Sequence, residues 1–171
     1  MKNTRVLVFM ALFIAMDVIL TRFLSIQTPI IRIGFGFIPV ALAGMMFGPA
    51  IGGVTAALGD IIGMIVFPKG AYFPGFTLSA FLTGATYGLV LYKKPKSILR
   101  IFLAVAVVVL FIDIGLTTVW VSMTTSTAYK ALLFTRVTKL AMIPVEVAVN
   151  YALWKCIALT GSSFLQKIEA A

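Results

Sequence analysis

Charged side chains inside otherwise apolar segments are the residues of this sequence most able to do chemistry. The bases Arg136 and Lys139 occupy the last apolar segment, and the acids are Asp17, Asp60, Asp113 and Glu146. Ionisable groups in a membrane span are costly, so they mark either internal ion pairs or a binding or transport path. Arg136 or Lys139 paired with Asp60 or Asp113 is the structural interpretation, and a ligand site is the functional one. The residues alone leave both open.

The side of the protein that we expect to face outside the cell carries more positive than negative charge. Its cations are Arg22, Arg32, Lys69, Lys130, Arg136 and Lys139. Arginine matches a carboxylate with two parallel hydrogen bonds, so this surplus indicates an anionic ligand captured from outside. Anionic lipid is the alternative, although most of it lies in the cytoplasmic leaflet.

Aromatic residues are concentrated in the same outer layer. Phe35 and Phe37 open the second apolar segment, and a turn reads Tyr72-Phe73-Pro74-Gly75-Phe76. Proline restricts the backbone of this turn, and rigid aromatic rings suit stacking on a flat ligand. Cations beside stacking rings predict a planar, negatively charged small molecule.

Several function classes are excluded by what the sequence lacks. It contains no histidine and a single cysteine, Cys156, so it has no histidine base, no internal disulfide and no cysteine cluster for a metal. It also lacks the glycine-rich phosphate loop of ATPases. We therefore expect neither an enzyme, nor a metal, nor a bound cofactor; a lipid-modifying enzyme is the weakest hypothesis. The net charge of +9 indicates cytoplasmic loops and the lipid bilayer before it indicates nucleic acid.

Composition predicts an integral membrane protein, with 61% hydrophobic and 11% charged residues. A membrane-spanning helix needs about 20 mainly apolar residues. We predict an all-α fold of six transmembrane helices in one domain, residues 1–171, with a kink at Pro144 and a break at Gly48-Pro49; one long bent element is the alternative to that break. The predicted spans are Val6–Leu24, Ile33–Phe47, Ala50–Phe67, Gly75–Tyr92, Ile101–Val121 and a long Ala131–Thr160.

Basic residues set the orientation. Six spans place both termini on one side, together with Lys2, Arg5, the 93–100 loop, Lys155 and Lys167. Positive loops face the cytoplasm, so both termini are expected there, in a multi-pass protein of the plasma membrane. The first span has no following cleavage site and is expected to be retained.

Small residues at four-residue spacing predict close helix packing. Most glycines fall between Gly34 and Gly88, including Gly59-xxx-Gly63 and Gly84-xxx-Gly88, and contact within one bundle is the favoured interpretation. Ala11-xxx-Ala15 on the first helix is isolated. From spacing alone its face could be internal or could contact another membrane protein.

Two sequence blocks resemble a known family. The stretch from Arg32 to Pro39, continuing through Gly48-Pro49 to Gly63, is similar to the substrate-binding (S) components of energy-coupling factor (ECF) vitamin transporters. The block Gly70–Ser79 resembles the folate-specific branch, and Ala11-xxx-Ala15 resembles the small-residue motif of the family's first helix. The second half is similar through Arg136-xx-Lys139-xxxx-Pro144-Val-Glu146, a less specific pattern.

The resemblance implies a non-catalytic, high-affinity folate-binding subunit. It implies partners too, a transmembrane scaffold subunit contacted through Ala11 and Ala15 and two ATPases that drive import. We assign ring contacts to Phe35, Tyr72, Phe73 and Phe76, and assign acceptance from the pterin N–H groups, or an ion pair, to Asp60. Candidates for the glutamate carboxylates are Arg22, Arg32, Arg136 and Lys139. The alternatives are an S component for another planar vitamin or precursor, and an autonomous ion-coupled carrier that uses Asp60, Asp113 and Glu146.

Overall fold

The structure is a computed structural model that describes residues 2–27, 32–68, 72–94, 97–125 and 137–155. Within these ranges the side chains of residues 2–3, 26–27, 32–33, 125 and 137–139 are not described. Arg136 therefore lies outside the described residues, as do the side chains of Arg32 and Lys139.

Helices make up nearly all of the described chain. Four of them are α1 (Lys2–Arg22), α2 (Phe37–Phe47), α3 (Pro49–Val66) and α4 (Pro74–Leu91). A fifth continuous stretch consists of α5 (Ile98–Val107), a π-helical segment (Val108–Leu116) and α6 (Thr117–Thr125). The sixth begins as a 3-10 helix (Val137–Met142) and continues as α7 over residues 143–155. The strands of the described part are two residues long, β1 (Ile26–Gln27) paired antiparallel with β2 (Arg32–Ile33).

Four helical stretches are long and apolar enough to cross a membrane: Thr4–Arg22, Pro49–Val66, Pro74–Leu91 and Ile98–Thr124. Helix α2 is apolar but shorter, at 11 residues. The protein is thus an all-α, multi-pass membrane protein. The six-span count and the side on which the termini lie stay predictions.

Helices α2 and α3 are separated at the predicted break. Gly48 has φ +90°, a conformation that favours glycine, and ends α2. Pro49 follows as the first residue of α3, where its fixed φ fits and its missing N–H removes no helical bond. The 3-10 helix gives way to α7 at residue 143, just before Pro144, and the predicted kink there stays a prediction.

Backbone contact through glycine holds α2, α3 and α4 together. A Cβ on Gly52 would lie 2.7 Å from Gly44 Cα and 2.9 Å from Gly84 O, and a Cβ on Gly44 would lie 2.8 Å from Gly88 N. No side chain fits these positions without movement of a backbone. The prediction that these glycines pack within one bundle is confirmed.

The apolar core lies beside this contact and joins α2 and α4 to the fifth stretch. Its fully buried members include Ala41, Leu91, Ile101, Ala104 and Val105. Val108, Val109 and Ile112 belong to the same core, so it packs the π-helical segment against the rest of the bundle.

Candidate functional site

One cavity of about 190 Å³ opens among the helices. All six helical stretches contribute to its wall, through residues such as Thr21, Val40, Ala56, Thr83 and Met142. The wall combines apolar residues such as Val40 and Ala56 with the side chains of four acids and two threonines. This combination is typical of small-molecule sites.

Carboxylates are the charged groups of the described cavity wall. Asp17 comes from α1, Asp60 from α3, Asp113 from the π-helical segment and Glu146 from α7. Within the described ranges no three such groups are arranged to hold a metal ion. Carboxylate oxygens accept hydrogen bonds, and the site therefore suits a ligand that presents N–H or O–H donors.

Two glycines leave space for the Asp17 side chain at the cavity wall. A Cβ on Gly59 of α3 would collide with Asp17 Oδ2, and a Cβ on Gly36 would lie 3.0 Å from Asp17 Oδ1. Asp17 is 7% exposed, so its carboxylate fills the space that side chains at residues 36 and 59 would occupy. Thr21, one turn further along α1, donates to the Asp17 carbonyl at 2.6 Å and also lines the cavity.

Asp60 is held from the neighbouring helix. Thr77 of α4 donates from Oγ1 to Asp60 Oδ2 at 2.9 Å. The Tyr72 hydroxyl, in the segment before α4, lies 3.2 Å from the same Thr77 oxygen. These hydrogen bonds connect the predicted aromatic turn to the cavity wall.

The aromatic turn packs against the fifth helical stretch. The ring centroids of Phe73 and Trp120 are 5.5 Å apart, and those of Phe73 and Phe76 are 6.0 Å apart. Trp120 Nε1 donates to Ser79 Oγ at 3.1 Å, which fixes the indole plane. A Cβ on Gly75 would lie 2.6 Å from the Trp120 ring, so glycine is needed for this packing.

Among the predicted ligand residues whose side chains are described, Asp60 lines the cavity. Tyr72, Phe73 and Phe76 are not among the residues that line it: the Tyr72 hydroxyl reaches Asp60 only through Thr77, and Phe73 packs with Phe76 and Trp120. Phe35 is 44% exposed and packs on Phe37, with ring centroids 6.4 Å apart.

Arg22 is not part of the cavity wall. It is 5% exposed and packs on α3 at Gly63, where an added Cβ would lie 2.8 Å from Arg22 Nε. The backbone of Arg32 pairs with Gln27 in the short hairpin that follows α1. The ligand assignments of Arg32, Arg136 and Lys139 concern side chains outside the described residues.

Sequence reasoning did not assign Asp17, Asp113 or Glu146 to the ligand, although it singled out each as an ionisable group within a span. The signal was available: three acids on three apolar segments, each costly in lipid, are expected to face a shared interior. Thr77 and Trp120 carried no comparable signal, because threonine and tryptophan are common in membrane helices.

A separate surface runs along α1. Ala11 and Ala15 are exposed, as are the large residues Leu7, Leu12 and Ile19 around them. The opposite side of α1 contains Phe13, which packs on Phe47 of α2, and Asp17. Within the described residues, the Ala11-xxx-Ala15 stripe therefore faces away from the bundle.

Comparison with known proteins gives matches over almost the whole chain. The family described as ECF transporter, substrate-specific component, matches residues 5–164. The folate transporter FolT of Clostridium novyi (strain NT) is 49% identical over 158 residues, which are 92% of each protein. FolT of Leuconostoc mesenteroides is 34% identical over 158 residues, 88% of this chain and 85% of that protein.

A solved structure agrees. The crystal structure of a FolT bound with folic acid superimposes with a TM-score of 0.82 at 40% identity, covering 86% of this chain and 90% of the other. Family match, sequence identity and fold extend over the same segments that build the cavity. The chain belongs to the family of substrate-specific components of ECF transporters.

Proposed function

We propose that this protein is a folate-binding S component, which captures folate from outside the cell without catalysing a reaction. The observation that carries the proposal is the fold match, at 40% identity, to a FolT that holds folic acid, in a chain whose own helices enclose a polar-lined cavity. The two FolT relatives support the same ligand.

The size of the cavity supports binding of one end of folate, the pterin, inside it. The cavity of about 190 Å³ is smaller than the roughly 300–1,000 Å³ of sites that enclose an entire drug-sized molecule, which favours uptake of one end of folate. The pterin is the flat end, and its ring N–H and amino groups are donors. We place the pterin at the carboxylates, with Asp60 accepting from its N–H edge.

The glutamate end of folate requires cations. We assign this role to Arg32, Arg136 and Lys139, because guanidinium and ammonium groups bind carboxylates with charge-assisted hydrogen bonds. Arg22 is the weakest of the predicted candidates, since it packs on Gly63 beside α3. The aromatic residues Phe35, Tyr72, Phe73 and Phe76 remain the proposed ring contacts.

The family supports partners as well as a ligand. We infer that a transmembrane scaffold subunit docks on the Ala11-xxx-Ala15 face of α1 and that two ATPases power import. Both termini are placed in the cytoplasm on the basis of the positive loops. In this topology the Tyr72 end of α4 faces outside, which is the side from which folate arrives.

Calorimetric titration of folate into the purified chain in detergent tests the proposal, with riboflavin and thiamine as control ligands. We expect nanomolar binding of folate alone. Arg136→Ala is expected to weaken it at least about 100-fold, about 2.7 kcal/mol, whereas Lys155→Ala, on an exposed residue, should leave it unchanged. Absence of folate binding by the unmodified chain would refute the proposal, and tight binding that Arg136→Ala leaves intact would refute that anchor alone.

One observation favours a second candidate, the autonomous ion-coupled carrier. Asp60, Asp113 and Glu146 do line one cavity, as such a carrier would require. Liposomes that contain only this chain distinguish the two functions. We expect no folate accumulation until the scaffold and ATPases are added, whereas uptake that collapses with the ion gradient would support the carrier.

A further inference from the structure

Three side chains form a directed hydrogen-bond chain that ends at the cavity wall. Thr77 Oγ1 donates to Asp60 Oδ2 at 2.9 Å, and Tyr72 Oη lies 3.2 Å from Thr77 Oγ1. A threonine hydroxyl has one proton, and here the carboxylate takes it. Tyr72 must therefore be the donor to Thr77, so the chain runs from Tyr72 through Thr77 to Asp60.

The members of this chain differ in their access to solvent and to the cavity. Tyr72 is 52% exposed and precedes α4, Thr77 is half-buried in the first turns of α4, and Asp60 lines the cavity from α3. The chain thus joins an exposed outer segment to a carboxylate of the cavity wall.

Asp60 needs a hydrogen-bond donor such as Thr77 to hold its carboxylate in one orientation. The terminal torsion of an aspartate is broad, so the rotamer alone does not orient its carboxylate plane. A donor on Oδ2 restricts that rotation and leaves Oδ1 available for a second partner. Hydrogen bonds in series also polarise one another, so the Tyr72 hydroxyl strengthens the bond that Thr77 makes.

We propose that Thr77 is a positioning residue for ligand capture: it orients the Asp60 carboxylate toward the N–H donors of the ligand, and Tyr72 supports it through its hydroxyl. The inference rests on the proposed function and deepens it. It assigns to the Tyr72 hydroxyl a role separate from the ring contact proposed above. It also connects the segment before α4 to ligand binding in the cavity.

Isosteric substitution separates this role from a general packing role. Thr77→Val removes the hydroxyl and keeps the shape, Thr77→Ser keeps the hydroxyl, and Tyr72→Phe keeps the ring. Thr55→Val is the matched control on α3, because Thr55 Oγ1 donates to Ile51 O of its own helix and does not line the cavity. Folate affinity and dissociation rate are measured for each purified variant, with melting temperature as the check of folding.

We expect Thr77→Val to weaken folate binding about tenfold, mainly through faster dissociation. Thr77→Ser should stay within about twofold of the unmodified chain, Tyr72→Phe should weaken binding severalfold, and Thr55→Val should have no effect. In an Asp60→Ala background, Thr77→Val should add no further loss, because the carboxylate that Thr77 orients is gone.

Equal affinity of Thr77→Val and the unmodified chain would overturn the inference, and so would a Thr77→Ser as weak as Thr77→Val or additive losses with Asp60→Ala. If Thr77→Val does not fold, Tyr72→Phe on its exposed residue decides in its place. Each of these outcomes leaves folate binding by the unmodified chain intact. Failure of that binding overturns the proposed function itself, so the two failures are distinguishable.

Discussion

Substitution of Gly84 by alanine tests how the helix pair α3–α4 positions the site. A Cβ at residue 84 would collide with Gly52 O and would lie 2.6 Å from Gly52 C. Both are backbone atoms, so a rotamer change cannot relieve the overlap. Gly115→Ala is the control, because among the described residues a Cβ there meets only Leu110 O, at 3.5 Å.

The size of the effect follows from these distances. An ordinary contact begins at 3.4 Å, so the Cβ must retreat by at least about 0.8 Å to clear Gly52 C, and by more to clear the nearer Gly52 O. Asp60 lies eight residues beyond Gly52 on α3, and Thr77 lies seven before Gly84 on α4, about 10–12 Å from the glycine contact. If the helices separate as rods, the 2.9 Å bond between Thr77 and Asp60 lengthens to at least about 3.7 Å and is lost.

The expected loss of stability is about 2 kcal/mol. Overpacking of a core typically costs about 1–3 kcal/mol, and contact with a rigid backbone belongs at the upper end. Alanine recovers up to about 1 kcal/mol through its higher helix propensity, a gain that Gly115→Ala shares. The net loss corresponds to a fall in melting temperature of roughly 4–8 °C for a chain of this length.

Thermal unfolding in detergent and folate titration measure the two consequences. Gly84→Ala should melt lower than both the unmodified chain and Gly115→Ala, and it should bind folate about tenfold more weakly. A Gly84→Ala protein that melts and binds like Gly115→Ala would refute the argument that α3 and α4 touch through their backbones.

Two further outcomes are expected. Trp120→Phe should lower the free energy of unfolding by about 1 kcal/mol, because it removes the hydrogen bond to Ser79. Adding Ser79→Ala to this variant should cause little further loss of stability. Fully additive losses would argue against that bond. Substitution of Ala11 or Ala15 by tryptophan should leave the folate affinity of the isolated chain within about twofold, because both residues are exposed. The same variants should lose ATP-dependent folate uptake in liposomes that also contain the scaffold and the ATPases. Unimpaired uptake would show that the scaffold binds elsewhere.

Local features of the fold could be predicted from sequence where backbone chemistry decides them. Gly48-Pro49 separates two helices because glycine takes the positive φ that ends α2 and proline suits the first turn of α3. The π-helical segment Val108–Leu116 could not be predicted. Its wider hydrogen-bond spacing depends on how the segment packs in the bundle, and its sequence is as apolar as that of any membrane helix.

The site was harder to predict than the helices. In water, an apolar stripe identifies the buried face of a helix, but lipid is as apolar as a protein core, so helix rotation carries little signal in these segments. Ionisable residues are the exception, since they avoid lipid, and Asp60 was found in this way. Thr77 is neutral and depends on the separation of α3 and α4, which only the packed structure supplies.

The charge of the cavity also bears on which ligand fits. A chain of net charge +9 would attract an anion as a whole, yet the described wall of its cavity carries four carboxylates. Carboxylate oxygens accept hydrogen bonds, and a purely cationic ligand would be opposed by the protein's overall field. Folate has hydrogen-bond donors at the pterin end and two carboxylates at the other. Its donor end matches the acceptor Asp60 and its carboxylates match the predicted outer cations, which is the orientation that Asp60 and Thr77 would select.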